Sequence, residues 1–166
     1  MNHGRRTKAL PGEVAAYIAG LIDGEGTITL TRLHANENRR LVVSIANTEI
    51  PLLKFVIDEV GAGKITRKKT TSDRHTPSFC YAVTSRQALA LLRQICPYLR
   101  SYKKRRAELA LKLYESLTPR NGKYTVDILA ERQLFELALL RVVPGNDAAS
   151  RIGSEQNASF DSRKVA

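Results

Sequence analysis

Two stretches of the chain share one pattern, an apolar helical segment followed by two segments of alternating polarity. The first stretch covers residues 13–46 and the second covers residues 51–84. The pattern repeats, although the amino acids themselves do not. Alternation with a period of two predicts strands, and apolar residues three and four apart predict helices. We therefore expect an α+β fold of order α-ββ-α-ββ-α, with a curved antiparallel sheet, helices on its back and extra C-terminal helices.

Local signals place the individual elements along the chain. The predicted strands cover residues 27–34, 40–46, 64–70 and 78–84. The predicted helices cover residues 13–22, 51–60, 85–95, 102–117 and 126–143. Bulky side chains in the fourth strand are expected to face inward, namely Phe79, Tyr81 and Val83. Ser85 and Ser101 precede apolar helical patterns, so both are predicted N-caps.

The composition fits one folded domain with a tail. The chain has 166 residues, of which 43% are hydrophobic. We predict a single domain over residues 1–143 and a flexible tail over residues 144–166, where few apolar residues occur. No apolar run reaches the roughly 20 residues that span a bilayer, so no membrane partner is expected. Cys80 and Cys96 form neither a disulfide framework nor a zinc pattern, which favours a reducing compartment over secretion.

The positive charge is concentrated in one segment of the chain. The formal net charge is +11, from 27 basic and 16 acidic residues. Residues 64–106 contain twelve of the cations and a single anion, Asp73, so this segment carries the whole excess. A short basic run is usually a solvated face. An excess of this size favours a polyanionic partner, with nucleic acid ahead of an anionic membrane surface.

Small residues recur at a spacing of four in the most informative segment. Residues 18–26 read IAGLIDGEG, and Ala16, Gly20 and Gly24 form one stripe along the helix that leads into it. A stripe of small residues lets a second helix approach closely. The apolar stretch is too short to cross a bilayer, so the expected partner is a helix in a soluble protein.

The same helix ends in two carboxylates, Asp23 and Glu25. Anions at a helix C-terminus are disfavoured by roughly 0.3–1 kcal/mol each. A bound cation would explain the placement, because carboxylate and carbonyl oxygens suit hard divalent ions such as Mg²⁺. A local role, in which Asp23 hydrogen-bonds nearby and Glu25 is solvated, fits the spacing equally well.

The segment IAGLIDGEG resembles the LAGLIDADG signature of homing endonucleases. Ile replaces the first Leu, Gly the second Ala and Glu the last Asp, and the expected element order fits the family fold over residues 12–117. The signature occurs once, and family members of this size with one copy act as homodimers. The resemblance therefore implies a dimer interface that contains Ala16, Gly20 and Gly24.

The resemblance also implies an active site. Glu25 corresponds to the metal-binding acid, and the Gly24 carbonyl oxygen is a neighbouring ligand for Mg²⁺, which Mn²⁺ can replace. Metal ions supply an activated water and neutralise developing charge in phosphodiester hydrolysis. Asn47 would position water, with a helix cap or turn residue as the alternative. Lys103 would stabilise the phosphate in the transition state, with Lys104 as the alternative register.

The exposed face of the sheet would then read DNA. Hydroxyls, arginine and small apolar groups suit base edges better than uniform phosphate binding. The predicted DNA-binding residues are Thr27, Thr29, Thr31, Leu33, Asn38, Arg40, Val42, Ser44, Lys64, Thr66 and Lys68. Cys80 and Ala82 are expected on the same face, and Arg67, Lys69 and Arg74 at the DNA backbone. Simple β-propensity on a wet face would also explain a threonine-rich strand.

The resemblance thus predicts an intron-encoded, site-specific endonuclease that cuts a long pseudo-palindromic site as a homodimer. Its expected partners are double-stranded DNA and a second copy, with no small-molecule cofactor. An intron RNA maturase and a non-cleaving DNA-binding protein share the fold and remain alternatives. The presence of Glu25 favours the nuclease. The expected location is intracellular, in a prokaryotic cytoplasm or an organelle.

Overall fold

A computed structural model describes residues 6–68, 76–120 and 123–145. The helices are α1 (Gly12–Glu25), α2 (Ile50–Val60), α3 (Ser85–Ile95), α4 (Lys103–Leu113) and α5 (Val126–Arg141), with a 3₁₀ turn at Cys96–Tyr98. The strands are β1 (Gly26–Thr31), β2 (Arg40–Asn47), β3 (Lys64–Arg67) and β4 (Phe79–Thr84). The predicted α-ββ-α-ββ-α order and the α+β class are confirmed. Within the described ranges, no helix is long and apolar enough to cross a membrane.

The four strands form one antiparallel sheet in the order β1-β2-β4-β3. The register places Thr27 beside Ser44, Ser44 beside Ala82, and Ala82 beside Lys64. These four residues therefore form a row across one face of the sheet. None of them is buried, which fits the prediction that one face remains wet.

The other face of the sheet packs against the helices. Ile28, Val43 and Val83 are neighbours across three strands, and all three are buried. The Tyr81 hydroxyl donates a hydrogen bond to the Ala62 carbonyl oxygen at 2.9 Å, and burial raises its pKa. The prediction that Phe79, Tyr81 and Val83 face inward is confirmed, with Phe79 partly buried against the core.

Several predicted boundaries differ from the structure. β1 ends at Thr31 because β2 begins opposite it at Arg40, so no strand remains to pair with the residues that follow. Ser85 is not a cap but the first residue of α3, with a left-handed φ of 55°, and Thr84 is the N-cap. Ser101 precedes the N-cap of α4, although its Oγ accepts a hydrogen bond from the Lys103 backbone N–H.

Some of these predictions fall wholly or partly outside the described residues. The third predicted strand extends to residue 70, whereas β3 ends at Arg67 and the described chain stops at residue 68 before resuming at 76. The predicted tail begins at residue 144, and all of it beyond residue 145 lies outside the described ranges.

A buried arginine attaches α5 to the rest of the fold. Arg132 is 2% exposed, and its guanidinium donates to the Leu117 carbonyl at 2.7 Å, to Thr118 Oγ1 at 3.0 Å and to the Arg39 carbonyl. The Arg132 Nε lies 3.3 Å from a carboxylate oxygen of Glu136. The guanidinium therefore connects α5 to the end of the α4 segment and to the start of β2.

We expect Arg132→Met to lower the free energy of unfolding by about 3–5 kcal/mol, because it leaves the buried Glu136 carboxylate with one partner fewer. Chemical denaturation at fixed protein concentration measures the change. Arg141→Met, at the exposed end of the same helix, is the matched control and should change stability by less than about 0.5 kcal/mol. Equal effects of the two substitutions would contradict the role of Arg132.

Candidate active site

The Asp23 carboxylate joins the end of α1 to the start of α4. Its Oδ2 accepts a hydrogen bond from Arg100 N at 2.7 Å, and its Oδ1 accepts from Ser101 N at 3.2 Å and from Ser101 Oγ at 2.5 Å. Burial by itself would raise the pKa of Asp23, but these hydrogen bonds and the nearby Lys103 outweigh it and lower the pKa from its usual 3.8. Asp23 therefore has the local, structural role that its spacing left open.

The Lys103 side chain extends from the start of α4 and contacts the end of α1. It is 7% exposed, and its Nζ donates to the Ile22 carbonyl at 2.7 Å and to the Asp23 carbonyl at 2.9 Å. Carbonyls at a helix C-terminus lack partners within the helix, and a cation there is favourable. Lys103 thus offsets the unfavourable placement of two carboxylates at the end of α1.

The pKa of Lys103 reflects this position. Burial lowers its pKa, Arg106 lowers it further, and Asp23 and Glu25 act in the opposite direction. A lysine ammonium has three hydrogens, and the two carbonyls account for two of them. Lys103 therefore lies at the predicted site, close enough to Glu25 for their charges to interact, with one ammonium hydrogen left for a ligand.

Asn47 lies at the same end of the sheet as the carboxylates. It is the last residue of β2, two positions beyond Ile45, which pairs with Gly26 at the start of β1. The Asn47 Oδ1 accepts a hydrogen bond from Glu49 N at 2.8 Å, an Asx turn that leads into α2. The structure thus gives Asn47 the turn role that was one of its two interpretations, at a position near the end of α1.

The metal-binding capacity of one chain is small. Glu25 is exposed at the last position of α1, whereas the Asp23 carboxylate already accepts three hydrogen bonds. Across the described residues, no three His, Cys, Asp or Glu side chains form a group that could hold a metal ion. The exposed Glu25 carboxylate and the adjacent Gly24 carbonyl fit a hard divalent cation only if other oxygens complete the shell.

The glycines of the motif have different structural environments. A Cβ at Gly26 would lie 2.6 Å from the Ile22 Cα, so close packing requires this glycine. Its φ is −97°, and neither Gly26 nor Gly24 has a positive φ, so neither position needs the left-handed backbone that favours glycine. A Cβ at Gly20 or Gly24 would meet nothing within 4 Å. One side of α1 is therefore open.

Two aromatic residues border this open side of α1. Tyr17 is 49% exposed and Phe55, on α2, is 40% exposed. Their ring centroids are 5.6 Å apart in an edge-to-face arrangement. Neither residue was among the predicted interface residues. Tyr17 could have been found, because it precedes Gly20 by three residues and Gly24 by seven, which is the spacing of one helix face.

The polar face of the sheet carries most of the predicted DNA-binding residues. Those that lie in strands on this face are Thr27, Thr29, Thr31, Arg40, Val42, Ser44, Lys64 and Thr66. The exposed Lys68 follows β3, and Arg67 is exposed at its end. Cys80 and Ala82 share the face, as expected, because they pair with Thr66 and Lys64.

The remaining predicted DNA-binding residues are not in strands. Leu33, which is 60% exposed, and Asn38 lie in the connection between β1 and β2, because both strands are shorter than the alternation suggested. Lys69 and Arg74 lie outside the described residues.

Part of the basic segment stabilises the helices instead of facing the open side of the sheet. Arg86 and Arg93 lie 2.5 and 2.8 Å from the two carboxylate oxygens of Glu115. Arg106 donates to the Ile28 carbonyl at 2.8 Å and so connects α4 to β1. The excess charge of residues 64–106 is thus divided between internal contacts and the polar sheet face.

We expect Asp23→Asn to lower the free energy of unfolding by about 1–3 kcal/mol at pH 7, because an amide nitrogen cannot accept the lost hydrogen bonds. The folded-state pKa of Asp23 is below its usual 3.8, so its contribution is present above that pH and disappears as the pH falls through the folded-state pKa. Denaturation from pH 7 to pH 2 should therefore show the two proteins converging in acid.

Glu108→Gln, at an exposed position on α4, provides the control for loss of one carboxylate. It should change stability little at any pH. A constant difference between wild type and Asp23→Asn down to pH 2 would contradict the ionised hydrogen-bonding role.

The fold is similar to that of several solved nucleases. The homing endonuclease I-CvuI, in complex with its target, has a TM-score of 0.65 and 19% identity over 82% of this chain and 85% of that chain. The archaeal intron-encoded homing endonuclease I-Vdi141I, complexed with DNA, has a TM-score of 0.63 and 17% identity over 81% and 87%. The meganuclease I-SmaMI, bound to uncleavable DNA, has a TM-score of 0.59 and 17% identity over 81% and 45%.

The sequence comparison agrees with this fold. No curated protein sequence matches the chain significantly. The sequence model of the LAGLIDADG endonuclease family, however, matches residues 18–115. That range includes the motif at the end of α1, all four strands and the contacts of Asp23 and Lys103. Because this match covers more than half of the chain, the protein belongs to the LAGLIDADG homing endonuclease family, as a member with a single motif.

Proposed function

We propose that the protein is a homodimeric, divalent-metal-dependent endonuclease that cuts both strands of a long pseudo-palindromic DNA site. One observation carries the proposal. The exposed carboxylate of Glu25 lies at the end of a helix whose glycine side is open and at one end of a polar sheet face. The cation is Mg²⁺, and Mn²⁺ can replace it.

The dimer interface in this proposal is the open side of α1. Ala16, Gly20 and Gly24 would contact the same residues of a second copy, as in a two-fold symmetric interface. The neighbouring Tyr17 and Phe55 add exposed aromatic surface, which is typical of interfaces. Pairing through the C-terminal part of α1 would bring the two Glu25 carboxylates together and supply the acid that a single chain lacks.

The chemistry follows from what each side chain can do at that position. When bound, a divalent metal activates water and neutralises charge on the phosphate. Glu25 and the Gly24 carbonyl would hold the cation, and the Lys103 ammonium would direct positive charge at the phosphate. Asn47 would orient water from the end of β2. Asp23 holds the α1 and α4 ends in the geometry that keeps Lys103 beside Glu25.

DNA recognition is assigned to the polar face of the sheet. Hydroxyl, guanidinium and small apolar side chains alternate across it, a mixture that can read base edges. I-CvuI and I-Vdi141I, which share the fold, are both known in complex with DNA. A two-fold dimer would place two such faces along one duplex, which explains the long, nearly palindromic site.

The gene is proposed to lie within an intron, as described for I-Vdi141I. The protein would act inside the cell, in a prokaryotic cytoplasm or an organelle, without a membrane partner or a small-molecule cofactor. The intron insertion junction would then identify the target sequence.

Glu25→Gln tests the catalytic assignment. We expect at least about 100-fold slower cleavage, equivalent to about 3 kcal/mol of transition-state stabilisation. Binding of the DNA site should persist, because the polar sheet face is unchanged. The measurement is single-turnover cleavage of a duplex selected from a random library by the wild-type protein, with Mg²⁺ and with Mn²⁺.

Glu131→Gln, at an exposed position on α5, is the matched control and should cut normally. Wild-type cleavage rates for Glu25→Gln would refute the assignment. A wild-type protein that binds the selected duplex but does not cut it with either metal would favour the non-cleaving alternative. Preferential binding of intron RNA would favour the maturase.

Gly20→Leu tests the dimer interface. A Cβ at this position meets nothing within 4 Å in one chain, so the monomer should still fold. Leucine would prevent close approach of a second helix, and we expect dissociation into monomers and loss of double-strand cleavage. Sedimentation velocity, with and without the selected duplex, measures the oligomeric state.

Gln133→Leu adds a similar side chain to an exposed position of α5 and serves as the control. It should remain dimeric and active. A Gly20→Leu protein that sediments as a dimer on DNA would refute the proposed interface.

A further inference from the structure

We propose that the N-terminal arm, residues 6–10, is part of the DNA interface and that Arg6 binds a backbone phosphate at the edge of the sheet, away from Glu25. This inference rests on the proposed DNA-binding function. From the sequence, the excess charge lies in residues 64–106, and the arm had no predicted role. The arm's contacts and its position beside the sheet face support the assignment.

The arm is attached to the end of α2 through Lys8. The Lys8 backbone N–H donates to the Val60 carbonyl at 2.9 Å, and the Lys8 Nζ donates to the Asp58 carbonyl at 2.8 Å. Both carbonyls belong to the last turn of α2, where helix carbonyls need outside donors. A Cβ at Gly61 would lie 2.9 Å from the Lys8 Cγ, so the glycine that ends α2 also lets the arm pass.

A glutamine of α3 holds the arm at a second point. The Gln94 Oε1 accepts a hydrogen bond from Leu10 N at 2.7 Å, and the Gln94 Nε2 donates to the Lys8 carbonyl at 3.0 Å. One side chain therefore binds the backbone on both sides of Ala9. Two helices thus define the course of the arm before α1 begins.

The arm reaches a cationic cavity at the edge of the sheet. The cavity has a volume of about 690 Å³ and is lined by the cations Arg6, Lys8, Arg40 and Lys64 and by one acid, Asp58. Ala82 and Thr84 of β4 also line it. Four cations around one carboxylate favour the binding of an anion, and phosphate is the anion that DNA presents to a protein surface.

Two sheet residues place this cavity on the DNA-reading face. Arg40 and Lys64 share that face with Thr27 and Ser44 through the strand register. The Arg40 Nε is buried and has no hydrogen-bond partner among the described residues, a state that a phosphate drawing the guanidinium outward would relieve. The cavity therefore extends the proposed DNA face instead of forming a separate site.

The position of the cavity separates its role from the reaction. Lys64 lies on β3, three strands from β1, which at about 4.8 Å per strand is roughly 14 Å. Arg40 pairs with Thr31, whereas Glu25 precedes the first residue of β1. At about 3.3 Å per residue, the two ends of β1 are roughly 17 Å apart. A phosphate bound by Arg6 would therefore be distant from the scissile phosphate, and the contact would add affinity without base preference.

The test is the salt dependence of DNA binding by Arg6→Ala. Each lost phosphate contact should reduce the slope of log affinity against log salt by about 0.9, or by about 1.8 for a dimer with two arms. Arg6→Lys should retain the slope. Gln94→Ala, which frees the arm without changing charge, should reduce the slope partly. Fluorescence anisotropy with the selected duplex at several NaCl concentrations measures all four proteins.

Lys112→Ala removes one cation from an exposed position on α4 and is the control, with an unchanged slope expected. An Arg6→Ala slope equal to that of wild type would overturn the inference while leaving the proposed nuclease intact. Failure of the wild-type protein to bind any duplex would refute the proposed function itself. If Arg6→Ala loses binding of inorganic phosphate but not of DNA, the cavity is a free-anion site and the inference is wrong.

Discussion

The end of α1 and the start of α4 are joined by reciprocal hydrogen bonds from charged side chains. The Lys103 ammonium caps the Ile22 and Asp23 carbonyls, and the Asp23 carboxylate accepts hydrogen bonds from Arg100 and Ser101. The Lys103 cation therefore lies at the C-terminus of α1, and the Asp23 anion lies at the N-terminal side of α4. Both positions are favourable for the helix dipole. Each placement is unfavourable within its own helix, since α1 ends in carboxylates and α4 begins with cations. Their contact makes both placements favourable.

These contacts leave Glu25 as the exposed acid of the motif. Because the Asp23 carboxylate accepts three hydrogen bonds and Lys103 is held at the end of α1, the Glu25 carboxylate and the Lys103 ammonium remain close together at one end of the sheet. One chain then has too few acidic ligands for a metal centre among its described residues. The open glycine side of α1 makes a second copy the simplest source of the missing ligand, and the proposed dimer follows from that shortage.

Much of the fold could be predicted because its strands and helices follow from the short-range periodicity of apolar residues. The alternation in residues 40–46 and 78–84 identified both the strands and their buried faces, and the inward position of Tyr81 followed from it. Boundaries were less accurate. Leu33 continues the alternation of β1, but pairing with β2 ends at Thr31, so the partner strand and not the pattern decides where β1 stops.

By itself, the sequence determined the element order, the wet sheet face and the motif, since each depends on residues within about ten positions of one another. Only the tertiary structure decided which charges act internally. Asp23 meets Ser101 across 78 positions, and Gln94 meets Lys8 across 86. Local periodicity cannot encode contacts at such separations, because they depend on how helices and strands pack. The tertiary structure therefore assigned Asp23 to a helix junction and brought the N-terminal arm to the sheet.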